Sequence, residues 1–120
     1  MKKNVLIFGT GSYYSHIKKN IQEKYHIIAF IDNDSRKQGA FFEGKHIISP
    51  LDIEKYNYEK ILVASSFFYD ISIQLVNLGI PSNKVVFPFY DGKEALLKKV
   101  IEGNINRILV SVDGINLFLS

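Results

Sequence analysis

The sequence predicts an α/β fold: a mostly parallel sheet of four to five strands with helices on both faces. Three observations predict it. Short, nearly continuous apolar runs recur at Asn4–Phe8, Ile27–Ile31 and Lys60–Ala64, as expected of strands covered on both sides. Segments of helical period separate these runs. The resulting alternation of strand, helix, strand, loop, helix, strand, helix and strand calls for crossover connections, which join parallel strands.

Each element has a local reason. Asn4–Phe8 runs into Gly9-Thr10-Gly11, which breaks the strand. From Ser12 to about Lys24, Tyr13, Ile17 and Ile21 recur every fourth residue and predict one helical stripe on the sheet. Ile27–Ile31 is the second strand and ends on Asp32. Residues 34–48 read as a polar loop, Ser35 to Gly39, followed by a small excursion from Phe41 to Ile47 that returns to the sheet. Ser49-Pro50 pairs an N-cap with a proline at the first helical position and starts a short helix through Leu51 and Ile53. After the third strand, Ser65 or Ser66 can cap a helix that buries Ile71, Leu75 and Leu78. Gly79 and Pro81 then stop it. Val85-Val86-Phe87 is a short fourth strand.

Residues 91–120 form a distinct C-terminal part after a module spanning 1–90. Asp91 and Glu94 fit a capping box, Leu96, Leu97, Val100 and Ile101 follow at helical spacing, and Gly103 closes the helix. Asp113-Gly114 between two apolar runs is a strong hairpin signal. The reading is a helix plus a β-hairpin, packed on the module or pairing two copies into a homodimer.

Composition sets the class. A chain of 120 residues, 47% hydrophobic and 22% charged, suits one soluble domain with its own core. It has no cysteine, which excludes disulfides and thiolate metal sites. The net charge of +3 comes with scattered lysines and does not read as a nucleic-acid footprint. No apolar stretch has the length of a membrane span, and the apolar run after Met1-Lys2-Lys3 is too short for a signal peptide. The expected compartment is the cytoplasm.

The strand, glycine turn, helix, strand and acidic residue together have the layout of a Rossmann-like nucleotide-binding unit. Gly9 permits the tight turn. Gly11 lets backbone approach a phosphate, and the helix from Ser12 offers free N–H groups and a positive dipole end to that anion. Asp32 stands where such folds hydrogen-bond a ribose, with Asn33 and Asp34 able to share the task. The third glycine of G-x-G-x-x-G is replaced by Tyr14, which either pushes the helix away or fills part of the dinucleotide groove. Alternatively Gly9 and Gly11 make only a tight turn and Asp32 is a solvated strand end. An S-adenosylmethionine methyltransferase fits less well, since the first strand carries no acid before the loop and a third closely spaced glycine is missing.

Ser65 and Ser66 follow the third strand at its carboxyl end and are either helix caps or ligand-binding hydroxyls. Tyr13, Tyr14, Phe67, Phe68 and Tyr69 gather near the same edge, to stack on a base or sugar or to pack under the loops. Arg36 and Lys37 could meet a phosphate. His16, His26 and His46 lack ligand spacing, so no metal site is expected, and no catalytic group is assigned.

The segment IIAFIDNDSRKQGAFFEGKHIISPLDI resembles the second-strand region of Rossmann modules in bacterial surface-polysaccharide enzymes, through Phe30, Ile31, Asp32, Asp34, Lys37, Gly39, Gly44 and Ile48. ILVASSFFYDISIQLVNLGIPSNKVV resembles the next unit of the same module. Such modules accompany capsule-type nucleotide-sugar dehydratases, sugar acetyltransferases, and some sugar-modifying methyltransferases and glycosyltransferases. The resemblance spans residues 4 to 88. It implies that Gly9, Gly11, Ser12 and Asp32 contact NAD(P) or a nucleotide-sugar, with the chemistry supplied by another domain or chain. Tyr14 and the tail after Pro88 depart from the pattern. A stand-alone sugar-modifying enzyme or oxidoreductase, or a ligand-free relic kept for dimerisation, are the alternative readings.

Overall fold

A computed structural model describes residues 1–88. The helix and hairpin expected over 91–120 lie outside the described residues. Six strands and two α-helices follow in order: β1 (Lys3–Phe8), α1 (Ser12–Lys24), β2 (Tyr25–Ile31), β3 (Phe41–Phe42), β4 (Lys45–Ile48), β5 (Lys60–Val63), α2 (Phe68–Asn77) and β6 (Val85–Val86). Short 3-10 helices occupy Pro50–Lys55 and Ser82–Lys84. The strands form one sheet in the order β3-β4-β2-β1-β5-β6. All pairings are parallel except β3 with β4.

β1 lies between β2 and β5, its register with β2 shifts by one residue between Val5 and Leu6, and both pairings run to Phe8, which sits beside Ile31 and Val63. The chain builds outward from β1 through β2 and β4. It then crosses back to place β5 on the other flank of β1. That reversal opens a crevice at the carboxyl ends of the central strands, where open α/β sheets take ligands.

Side chains alternate between two cores. Leu6, Phe8, Ala29, Ile31, Ile61 and Val63 face α2 and the first 3-10 helix, burying Ile71, Leu75 and Ile53 with them. Val5, Ile7, Phe30, Ile47 and Leu62 face α1 with Tyr14 and Ile21. Alternation in fully buried strands is what produces two layers of helix around one sheet.

Several local expectations hold. Ser49 Oγ accepts the Leu51 N–H at 3.1 Å, and Pro50 begins the 3-10 helix. α2 ends before Gly79, with the Ile80 N–H donating back to the Leu75 carbonyl at 3.0 Å. Other details differ. The sheet has more than four or five strands because the 34–48 excursion is a β-hairpin: Phe42 and Lys45 pair across Glu43-Gly44, both at positive φ (52° and 79°). That is the backbone of the two-residue turn whose twist matches paired strands. α2 begins at Phe68, later than a serine cap would start it. Ser65 Oγ instead accepts the Phe67 N–H at 3.1 Å, a turn that precedes the helix. Leu78 lies exposed beyond the helix end.

The stripe of α1 is rotated by one residue from the expected one. Tyr14, not Tyr13, is buried with Ile21, and only 1% of its surface is exposed. Its ring meets Phe30 and Phe42 edge-on, at centroid distances of 5.0 and 5.8 Å, and those two meet each other at 4.9 Å. Edge-to-face contact of this kind adds to the burial itself. Tyr14 therefore fills the space between helix and sheet and does not enter the crevice.

Candidate functional site

The glycine turn is built by two residues with different constraints. Gly9 has φ +123°, and a Cβ there would stand 2.3 Å from the Ala64 carbonyl oxygen. Its N–H donates to the Ile31 carbonyl at 2.9 Å. Only glycine can leave β1 while lying this close to the end of β5. Gly11 is exposed, in extended conformation, and its missing Cβ faces open space with nothing within 4 Å. It is the N-cap of α1 and supplies no side-chain cap, and the first turn carries no acidic residue. The amino-terminal N–H groups of α1 thus meet neither a capping side chain nor a first-turn acid, the condition under which a helix start accepts an outside anion.

Asp32 ties this turn to the loop that follows β2. Thr10 Oγ1 donates to Asp32 Oδ2 at 2.8 Å, and the Asp34 N–H donates to Oδ1 at 2.8 Å. Lys37 Nζ lies 3.7 Å from Oδ2 and donates to Thr10 Oγ1 at 3.3 Å. Gln38 Nε2 donates to the Asp32 carbonyl at 2.9 Å. A carboxylate has roughly four acceptor positions, so these bonds orient Asp32 without exhausting it. Asp34 takes Arg36 through Nε and Nη2, both at 3.1 Å, and through the Arg36 N–H. Those bonds, the side-chain ones foremost, hold the Asp34 carboxyl below its ordinary value. Arg36 and Lys37, which could meet a phosphate, are each already paired to a carboxylate of their own loop.

A cleft of about 490 Å³ opens beside this network, lined by Phe8, Gly9, Asp32, Asn33, Asp34 and Ser65, and by Phe67, Asp70, Ile71 and Gln74 from α2 and the turn before it. Of the expected residues, Gly9, Asp32, Asn33 and Ser65 border it directly. Thr10 reaches it through Asp32. Gly11 and Ser12 stand exposed at the start of α1, and Ser66 is exposed after β5, none of the three in the lining. Of the five aromatics, Phe67 alone borders the cleft, 69% exposed, whereas Tyr14 is in the core and Phe68 packs against the α2-side core. Asp70, Ile71 and Gln74 were not expected in the site, Ile71 being read only as a buried helix residue. Their spacing after Phe67 (three, four and seven residues) marks one helical face, the signal that could have found them. Among the described residues, no group of histidines and acids could hold a metal ion. No described helix is long and apolar enough to cross a membrane.

A second hollow of about 280 Å³ lies between α1 and the β3–β4 hairpin, lined by Tyr14, Tyr25, Phe30 and Lys45 among others. It shares no lining residue with the cleft beside Asp32.

A family model described as C2185-like, N-terminal, matches residues 1–86. No curated protein matches the chain. Among solved structures, UDP-D-quinovosamine 4-dehydrogenase from Vibrio fischeri is similar at 29% identity and a TM-score of 0.52, over 64% of this chain and 71% of its own. A repressor of the Rex family, RSP, in complex with β-NAD+ and operator DNA, is similar at 13% identity and a TM-score of 0.53, over 94% of this chain and 62% of its own. The same repressor with β-NADH gives 14% identity and a TM-score of 0.52, over 90% and 64%. The repressor likeness shows the fold alone, and the architecture is Rossmann-like.

Proposed function

The chain belongs to the C2185-like, N-terminal family, and we propose that it binds a nucleotide-containing ligand, NAD(P) or a nucleotide-sugar, in the cleft at the carboxyl edge of its sheet. The observation that carries this reading is the junction of the two loops. An uncapped helix start behind Gly11 and a ribose-type acid, Asp32, are locked together through Thr10 at 2.8 Å. They offer a diphosphate and a sugar their respective partners on one surface. The names of the similar structures support it: one acts on a UDP-sugar and the other is complexed with NAD+ or NADH.

The finer reading places this binding in bacterial surface-polysaccharide biosynthesis in the cytoplasm. There the module holds the nucleotide while another domain or chain performs the chemistry, and two copies of the chain pair as a homodimer. The resemblance of residues 4–88 supports the context. The cleft is lined by carboxylates, amides and the Ser65 hydroxyl, groups that can hydrogen-bond a ribose or a base, which supports the binding role. A small-molecule ligand is favoured over nucleic acid by the scattered lysines and by the pairing of Arg36 and Lys37 within their own loop.

A ligand-free relic is the second reading, favoured by one observation: both oxygens of Asp32 already accept hydrogen bonds from within the chain. Thermal melts separate the two. A ligand present at a hundred times its dissociation constant stabilises by about 2.7 kcal/mol. NAD(H) or a UDP-sugar at millimolar concentration should raise the Tm, and Gly11→Val should abolish the rise with little change in the ligand-free Tm, since its side chain enters open space. Absence of any rise with either ligand class favours the relic.

A further inference from the structure

Asn33 and Gln74 face each other at the cleft. Asn33 Nδ2 donates to Gln74 Oε1 at 3.0 Å, and Gln74 Nε2 donates to Asn33 Oδ1 at 2.9 Å. Asn33 belongs to the loop after β2 and Gln74 to α2, 41 residues away, so the pair is a clasp between two walls of one cleft. Each amide satisfies the other's donor and acceptor. Asn33 is exposed and Gln74 half-buried, so the clasp is open to solvent.

A primary amide presents a carbonyl oxygen beside an N–H. That edge is matched by a nucleobase edge with one donor and one acceptor side by side, which is why Asn and Gln hold adenine through two bonds at once. An amide pair is thus a stand-in for an amide–base pair. Phe67 borders the same cleft with an exposed ring, and a free aromatic face is what a base stacks on.

We propose that Asn33 and Gln74 read the nucleobase of the ligand. As the base enters, the clasp opens. The two hydrogen bonds between amides are exchanged for two to the donor–acceptor edge of the base, and Phe67 covers a face of the base. The base edge takes one donor and one acceptor of the amides, and the other two return to water at the solvent-accessible mouth, so opening costs little, while a sugar phosphate lacking a base gains nothing from it. The clasp thereby makes the base, more than the ribose or phosphate, the part of the ligand that opens the cleft. This rests on the nucleotide-binding reading above.

Calorimetric titration of the full chain with ADP, UDP and ribose 5-phosphate tests it. For whichever nucleotide the wild type prefers, Gln74→Leu should weaken binding about tenfold, the worth of a hydrogen bond to a partner in a cleft, and leave ribose 5-phosphate within twofold. Gln74→Glu, which keeps the length and solubility of the side chain but removes its donor, should act in the same direction. Equal losses for nucleotide and sugar phosphate, or no loss at all, would overturn base reading while leaving nucleotide binding intact. Failure of the wild type to bind any of the three would overturn the nucleotide reading itself, and base reading with it.

Discussion

Two loops meet at the carboxyl edge of the sheet, and they are held by opposite means. The glycine turn after β1 is seated at Gly9 by backbone, which lies against the Ala64 carbonyl and donates to the Ile31 carbonyl, and Thr10 carries its side-chain link to the next loop. The loop after β2 is laced by side chains, in the hydrogen bonds of Thr10, Asp34, Lys37 and Gln38 to Asp32 and of Arg36 to Asp34. A backbone seat cannot be altered without moving a strand. A polar lattice can exchange partners one bond at a time. The contrast teaches that the first loop is scaffold and the second, with Asn33 at its start, is the part that a ligand can rearrange.

The largest expected effect tests what stands behind the scaffold loop. Tyr14→Gly, which restores the third glycine of the fingerprint, should not improve the site. It empties the space that Tyr14 shares with Phe30 and Phe42 and adds a glycine within a helix. The expected loss is on the order of 4 kcal/mol, read as a fall in urea midpoint. A neutral outcome would show that the helix settles onto the sheet and that Tyr14 is a spacer without packing value.

Gly9→Ala comes next, on the order of 3 kcal/mol, from a left-handed φ and a Cβ driven into a carbonyl oxygen. Gly11→Ala should cost less, at most about 1 kcal/mol, as a change at an exposed N-cap. If the two alanine variants melt alike, the distinction between seat and opening fails.

Thr10→Val removes the bond that joins the two loops and should cost about 1 kcal/mol. The smallest effect is the pH response of the second loop. Arg36 holds Asp34 below the ordinary carboxylate value. The native state therefore binds this proton less readily than the unfolded chain. The contribution is present above about pH 4 and is lost as the pH falls through the lowered pKa. Protection of the amides of residues 34–38, relative to their intrinsic exchange rates, should fall below about pH 4 in the wild type, and Arg36→Ala should move that onset upward.

The same contrast explains what could be read from the chain. Strands β1, β2 and β5 announced themselves because burial on both faces leaves continuous apolar runs. The Ser49-Pro50 helix start and the Gly79 stop were legible because capping chemistry is local. The β3–β4 hairpin was less so: its turn is Glu43-Gly44, not the asparagine or aspartate pair that signals such turns, and its outer strand has two residues. The place of Tyr14 depends on Phe42, which arrives from that hairpin. In the candidate site, Gly9, Asp32, Asn33 and Ser65 stood out because each follows a strand. Gln74 did not, because its role exists only once α2 brings it to Asn33. Tertiary pairing of polar residues leaves no periodic trace in a sequence.

The central claim is that the cleft beside Asp32, and not the hollow between α1 and the hairpin, holds a nucleotide. Backbone amide shifts followed during titration with NADH, and separately with UDP, test it directly. The expected result is a saturable set of changes at Gly9, Gly11, Asp32, Asn33, Asp34 and Gln74, with Tyr25, Phe30 and Lys45 unmoved. Changes confined to the latter group, or none with either ligand, would contradict it.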